Sequence, residues 1–194
     1  MAYKHKDHYF LKAKKENYAA RSIYKLEEMD TRHKLIRPKM RLLDLGAAPG
    51  SWSQYMANKV GPGGCIIAID YAPLSIDSPQ IIFLQKDIYD LVPEDYGHIP
   101  FDGVLSDMAP KTTGIRMTDQ ARSLSLCEMA RDTAYQHLKP EGFFICKIFH
   151  GPGIDAFCKA LKSSFATLKM IRPKSTRPGS FEIFIVAQGY KGAP

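Results

Sequence analysis

The run Asp44-Leu45-Gly46-Ala47-Ala48-Pro49-Gly50 follows a short apolar stretch and places an acid immediately before a turn built from small residues. A strand that ends this way lets a ligand approach the backbone, because no side chain stands in the way. The turn therefore reads as the pocket of a nucleotide-type cofactor, with backbone amides open to it. It lacks the Gly-x-Gly-x-x-Gly pattern of dinucleotide sites, and Pro49 removes an amide that would grip a pyrophosphate, which argues against NAD or FAD. Asp70, Asp87 and Asp107 each follow a later apolar run. The interval from Gly46 to Asp70 is close to the roughly 20 residues at which an acid reaches ribose hydroxyls. Asp87 would suit an adenine amino group, and the backbone from Gly50 to Trp52 would border the rest of the ligand. Taken singly, each acid also fits an ordinary loop or capping residue. Lys147 is the second anomaly, since the apolar run Phe143-Phe144-Ile145-Cys146 leads straight into it. A lysine facing inward needs paired charge, and Asp107 and Glu182 are placed to converge on it. The alternative is a lysine that snorkels to solvent from a strand end.

These residues need a sheet to bring them together. Short apolar runs at residues 40–43, 65–69, 81–84, 101–105 and 143–149 read as strands, with residues 167–171 and 181–188 as two more. Helical spacing recurs over residues 18–29, 51–59, 119–138 and 153–165, the first of these carrying Arg21 and Lys25. Turn residues punctuate the alternation at Gly61-Pro62-Gly63-Gly64 and at Pro140 and Gly142. Alternating strands and helices imply an α/β fold with a mostly parallel sheet covered by helices on both faces. In such sheets the ligand crevice lies outside the carboxyl ends of the strands, where Asp44, Asp70, Asp87 and Asp107 are expected.

Composition sets bounds on this reading. At 194 residues and 45% hydrophobic content, a single domain over residues 1–194 is expected. No apolar run approaches the roughly 20 residues that span a bilayer, and the N-terminus is basic where a signal peptide would be apolar. A soluble cytoplasmic protein is expected. Cys65, Cys127, Cys146 and Cys158 lack zinc-type spacing and read as free thiols, and no metal site is assigned. The net charge of +7 is uneven: residues 1–41 hold 12 Lys or Arg against 5 Asp or Glu, and the remainder holds 15 against 15. Localised positive charge of this kind points to a polyanionic partner. Tyr3, Tyr9, Phe10, Tyr18 and Tyr24 are interleaved with those bases, where they could stack on unpaired nucleobases or anchor the segment to the core. The first 41 residues are read as a polyanion-binding segment, with a merely soluble basic tail as the alternative.

Five motifs together carry a resemblance: Ser22-Ile23-Tyr24-Lys25-Leu26, the Asp44–Gly50 loop, Ser106-Asp107-Met108-Ala109-Pro110, Cys146-Lys147-Ile148-Phe149 and Ser180-Phe181-Glu182-Ile183-Phe184. In this order the chain resembles the FtsJ/RrmJ-type RNA ribose 2'-O-methyltransferases from about Asp7 to Tyr190. The resemblance implies a Rossmann-like methyltransferase fold with seven strands, S-adenosylmethionine as methyl donor, and a catalytic group at Lys25, Asp107, Lys147 and Glu182. It implies cofactor contacts at Gly50, Trp52, Asp70, Asp87 and Asp107. The reading of the loop and strand ends adds Asp44, Gly46, Ala47, Pro49, Ser51 and Ile88. Ser51 stands where the family often has a second glycine, and Lys111 where bacterial members often have Asn. Met108 and the chain length favour the ribosomal RNA branch over the transfer RNA branch. The resemblance then implies large-subunit RNA of the 23S type as partner and a uridine ribose as target, and it makes the basic segment over residues 1–41 RNA-binding. A monomer is expected.

The chemistry so implied needs alignment of a weak nucleophile with an activated methyl group, and management of one proton. A neutral Lys147 would take the proton, whereas a charged one would orient the hydroxyl and stabilise alkoxide character, and carboxylates beside it favour the charged form; Lys25 would contact the target nucleotide and Glu182 would hold Lys147. The competing readings are a transfer RNA ribose methyltransferase, an RNA-binding assembly factor without catalysis, and a nicotinamide-dependent oxidoreductase.

Overall fold

The computed structural model describes residues 7–193. Five parallel strands form the centre of a sheet: β1 Arg41–Leu45, β2 Cys65–Asp70, β3 Ile81–Gln85, β4 Phe101–Ser106 and β5 Leu138–Phe149. Two further strands, β6 Phe165–Ile171 and β7 Glu182–Tyr190, complete a seven-stranded sheet in the order β3-β2-β1-β4-β5-β7-β6. β7 runs antiparallel to both of its neighbours. The chain leaves β1 toward β2 and β3 on one side and resumes at β4 on the other, so strand order reverses between β1 and β4. A crevice opens at such a reversal because the connections leave the sheet in opposite directions.

The helices are α1 His8–Lys15, α2 Ile23–His33, α3 Ser51–Val60, α4 Arg116–His137 and α5 Ile154–Ser164. Because side chains alternate along a strand, each inner strand feeds two cores. In β5, Phe143 and Ile145 pack with Leu26, Met29, Trp52 and Met56 of α2 and α3, while Phe144, Cys146 and Ile148 pack with Ala130, Phe157 and Leu161 of α4 and α5. Lys147 continues the alternation of Phe143 and Ile145, which puts it on the α2 and α3 face.

Several element boundaries differ from the sequence reading, each for an identifiable reason. The first expected helix, residues 18–29, instead begins at Ile23 and runs on to His33. Asp30 does not end it. The Asp30 carboxylate is buried, accepts the Leu35 and Ile36 amides and the Tyr55 hydroxyl, and so fastens the helix end to the core. α1 was not anticipated, because its apolar residues are too few among lysines to show a stripe. Its N-cap is Asp7, whose Oδ1 accepts the Phe10 amide at 2.9 Å. β1 extends through Asp44 to Leu45, and β5 starts at Leu138, where that residue pairs with Phe101 across a register shift.

Candidate active site

A cavity of about 860 Å³ lies at the carboxyl ends of β1, β2, β3 and β4. Of the expected cofactor residues, Gly46, Pro49, Asp70, Asp87, Ile88 and Asp107 line it. The loop after β1 turns with Gly46 at φ +76° and Gly50 at φ +113°, conformations that cost a side-chain-bearing residue strain. A Cβ on Gly46 would also stand 2.5 Å from Met108 Cγ, so the loop and the segment after β4 close on each other here.

The amides of this loop are engaged inside the protein, a correction to the expectation of open donors. Those of Gly46 and Ala47 donate to Ile69 O, that of Gly50 to Ala47 O, and that of Ala48 to Asp70 Oδ2 at 2.9 Å. Asp70 Oδ1 accepts the Ala72 amide at 2.9 Å. The Asp70 carboxylate is thus clamped by backbone on both oxygens at the cavity wall. Asp87 caps the short turn that follows β3 by accepting the Tyr89 amide. The cavity presents the Asp70, Asp87 and Asp107 carboxylates rather than free amides of the glycine loop, which suits hydroxyl and amino groups, and its cations come from Lys86, Lys111 and Arg122 instead.

Asp44 departs from its expected place. It lies within β1, fully buried, and does not line the cavity. Its Oδ2 accepts the Ser53 hydroxyl at 2.5 Å, and Oδ1 is a buried oxygen without a hydrogen-bond partner among the described residues. Burial pushes its carboxyl up to about 7, against the Ser53 hydrogen bond that favours ionisation and together with the nearby charges of Asp107 and Asp70. Ala47, Gly50, Ser51 and Trp52 also do not line the cavity, and all four are buried. Trp52 Nε1 donates to Ser22 O at 3.0 Å, its ring packs 5.8 Å from that of Phe184, and the Ser51 and Ser22 hydroxyls meet at 2.7 Å. These contacts join the start of α3 to the start of α2.

The four expected catalytic residues form two ion pairs. Lys147, 8% exposed, donates to Asp107 O at 2.5 Å and pairs with Asp107 Oδ1 at 2.9 Å. Lys25, in the first turn of α2, pairs with Glu182 Oε1 at 2.5 Å. The sheet register explains the division. Lys147 stands opposite Phe184 and Phe149 opposite Glu182, so Glu182 is a diagonal neighbour of Lys147 on the same face. The expected convergence of both carboxylates on Lys147 is therefore corrected: Asp107 takes Lys147, and α2 brings Lys25 to Glu182.

Other residues at the site escaped the sequence reading. Tyr71 and Tyr89 line the cavity at 66% and 70% exposure, and the signal for them was an aromatic directly after Asp70 and another close behind Asp87. Lys86 reaches the wall while bound to both oxygens of Asp95 at 2.6 and 2.8 Å. Asp119 accepts the Thr113 amide and hydroxyl and the Gly114 amide, which holds its carboxyl below the ordinary range and fixes the loop carrying Lys111.

Known proteins resemble this chain over nearly its whole length. Residues 18–190 match the FtsJ-like methyltransferase family. The ribosomal RNA large subunit methyltransferase E of Bdellovibrio bacteriovorus is 48% identical over 98% of this chain and 100% of that protein. The protein of the same name from Oleidesulfovibrio alaskensis is 47% identical over 98% of this chain and 95% of its own length. Among solved structures, one described as a ribosomal RNA methyltransferase from Plasmodium falciparum superposes with a TM-score of 0.78 at 25% identity, covering 90% of this chain and 100% of that one. The family match spans the glycine loop, both lysines and both paired carboxylates, and on that basis the chain belongs to the FtsJ-like methyltransferases.

Proposed function

We propose that the protein transfers the methyl group of S-adenosylmethionine to a ribose 2'-hydroxyl in large-subunit ribosomal RNA. The observation that carries this reading is the buried Lys147, held by Asp107, which itself lines a cavity whose walls carry carboxylates. The lining suits that cofactor by its acceptors: Asp70 would take the ribose hydroxyls and Asp87, with Ile88, the adenine, while Gly46, Pro49 and Asp107 would border the amino-acid portion. The engaged loop amides are consistent with a cofactor that carries no phosphate. When bound, S-adenosylmethionine supplies an electrophilic methyl group.

The chain's own residues do the rest. A buried ammonium at Lys147 stabilises the negative charge that develops on the acceptor oxygen, while the hydroxyl proton passes to solvent water. Asp107 fixes that ammonium through both its carbonyl and its carboxylate, so little reorganisation is needed as charge develops. Lys25 and Glu182 place a second cation and a second carboxylate one sheet diagonal away, suited to orienting the target nucleotide. The names of the relatives support the choice of large-subunit RNA, and action on ribosomes fits a cytoplasmic protein. The test is incubation with labelled S-adenosylmethionine and large ribosomal subunits from a strain lacking the gene, followed by nuclease mapping. Label in a 2'-O-methylated nucleotide is expected. Label confined to a base, or to transfer RNA when both RNAs are offered, would overturn the reading.

A further inference from the structure

Beside the Lys25–Glu182 pair lies a second cavity, of about 430 Å³, walled by Arg21, Lys25, Arg177 and Glu182 together with Ser22, Ser175 and residues 178–180. Its charged walls comprise three cations and one carboxylate, Glu182. A further carboxylate reaches into this cluster from α1. Asp7 Oδ2 pairs with the Arg21 guanidinium and lies 3.5 Å from Arg177 Nε, while Asp7 Oδ1 caps α1. One carboxylate thus bridges two guanidiniums from distant parts of the chain, and Arg21 is oriented further by donating to Ser175 O.

We infer that the Asp7 carboxylate occupies the seat of a phosphodiester of the acceptor strand, and that RNA binding exchanges Asp7 for that phosphate. Three observations support this. Two guanidiniums converging on one singly charged oxyanion are a geometry that a phosphodiester satisfies as well as a carboxylate, and arginine forks match both. The cavity is continuous with Lys25 and Glu182, so a phosphate seated there lies along the path of a strand entering the active site. The displaced group is accessible: the Asp7 side chain is 31% exposed, so its carboxylate can turn off the arginines while α1 stays packed through Ala13 and Tyr9. The ligand class rests on the proposed RNA substrate, and the exchange itself is a property of this cluster alone.

The exchange predicts that removing the competing charge strengthens RNA binding. Asn is as good a helix N-cap as Asp, so Asp7→Asn removes the charge and keeps the cap. Binding of a short fluorescein-labelled oligouridylate is measured by anisotropy for the wild type, D7N, R177Q and the double variant over a salt series. D7N is expected to bind roughly three- to ten-fold tighter, and R177Q weaker by a similar factor with a salt slope shallower by about 0.7. The gain from D7N should shrink toward nothing in the R177Q background, because the seat it frees no longer has its second arginine. A D7N gain that persists at full size in that background would show plain repulsion between Asp7 and RNA, and would overturn the exchange. No gain from D7N, or no binding by either protein, would overturn it as well. Methyl transfer to ribosomal subunits is assayed in parallel. A wild type that transfers no methyl to ribose fails the proposed function, whereas a wild type that transfers normally with an unchanged D7N affinity fails the phosphate seat alone.

Discussion

Around the large cavity the functional carboxylates are gripped by backbone: Asp70 by the Ala48 and Ala72 amides, Asp87 by that of Tyr89. Across β5 and β7 the functional lysines are gripped by carboxylate side chains instead, Lys147 by Asp107 and Lys25 by Glu182. The difference follows from what each region is built on. Strand ends present amides at fixed positions, and these clamp an acid: Ala72 and Tyr89 each lie two residues beyond the acid they hold, and Ala48 comes from the loop of the adjoining strand β1. A cation needs carbonyls or carboxylates instead, and these come from neighbouring strands: the Asp107 carbonyl and carboxylate after β4 for Lys147, and Glu182 of β7 for Lys25 of α2. The cofactor half is therefore built along adjacent strand ends, and the acceptor half joins β4, β5, β7 and α2.

The comparison breaks most visibly at Lys147, whose ammonium belongs to the acceptor half although Asp107 also lines the cavity. Lys147→Ala should lower the transfer rate by roughly 10³-fold or more, as expected for loss of a charge-stabilising group. S-adenosylmethionine affinity, measured by calorimetry, should stay within about three-fold of the wild type. Turnover retained near the wild-type rate would remove Lys147 from the chemistry, and a large loss of cofactor affinity would join the two halves into one site.

Asp44 tests the cofactor half from behind. Its carboxyl is pushed up to about 7 by burial, so the folded protein holds a proton that the unfolded chain releases near pH 4. The sign follows from linkage: stability contributed by the neutral group is present below the unfolded value and is lost as pH rises toward the folded one. Asp44→Asn should therefore melt close to the wild type at pH 4 and above it at pH 8, by roughly 2–4 kcal/mol of stability. Parallel curves for the two proteins across this range would mean that Asp44 stays ionised in the fold.

At Asp70 the division itself is measured. Asp70→Asn leaves one oxygen to accept an amide and loses the other clamp, so S-adenosylmethionine should bind roughly 10- to 50-fold more weakly. Oligouridylate affinity should not change. Equal losses of both affinities would show that the loop after β1 supports the acceptor half too.

How much of this was legible in sequence follows the same line. Asp70, Asp87 and Asp107 were readable at the cavity because each closes an apolar run, and a strand end fixes where its last side chain goes. Asp44 was read one step too far along the chain: Leu45 still belongs to β1, and one residue more of strand turns a cavity acid into a buried one. The partner of Lys147 could not be settled, since only the β5 and β7 register shows that Glu182 stands opposite Phe149 rather than Lys147. The bridge from Asp7 to Arg21 and Arg177 left no local pattern at all, because it joins α1, the start of α2 and the segment before β7.

The smallest predicted effect concerns the joint between the halves. Ser22 precedes α2, which carries Lys25, and its hydroxyl meets that of Ser51 at the first residue of α3, directly after the glycine loop. Ser22→Ala removes this bond while Trp52 Nε1 still donates to the Ser22 carbonyl, so the fold should persist with a loss of roughly 0.5–1.5 kcal/mol. If the joint only holds two helices together, melting temperature falls and catalysis does not change. If it also sets the position of Lys25 relative to the loop, kcat falls about two- to three-fold while both ligand affinities stay constant, because misplacement acts on alignment rather than on binding. We expect the second pattern: Lys25 lies one helical turn beyond Ser22 and is already tied to Glu182, so any tilt of α2 must either stretch that 2.5 Å pair or drag β7 with it.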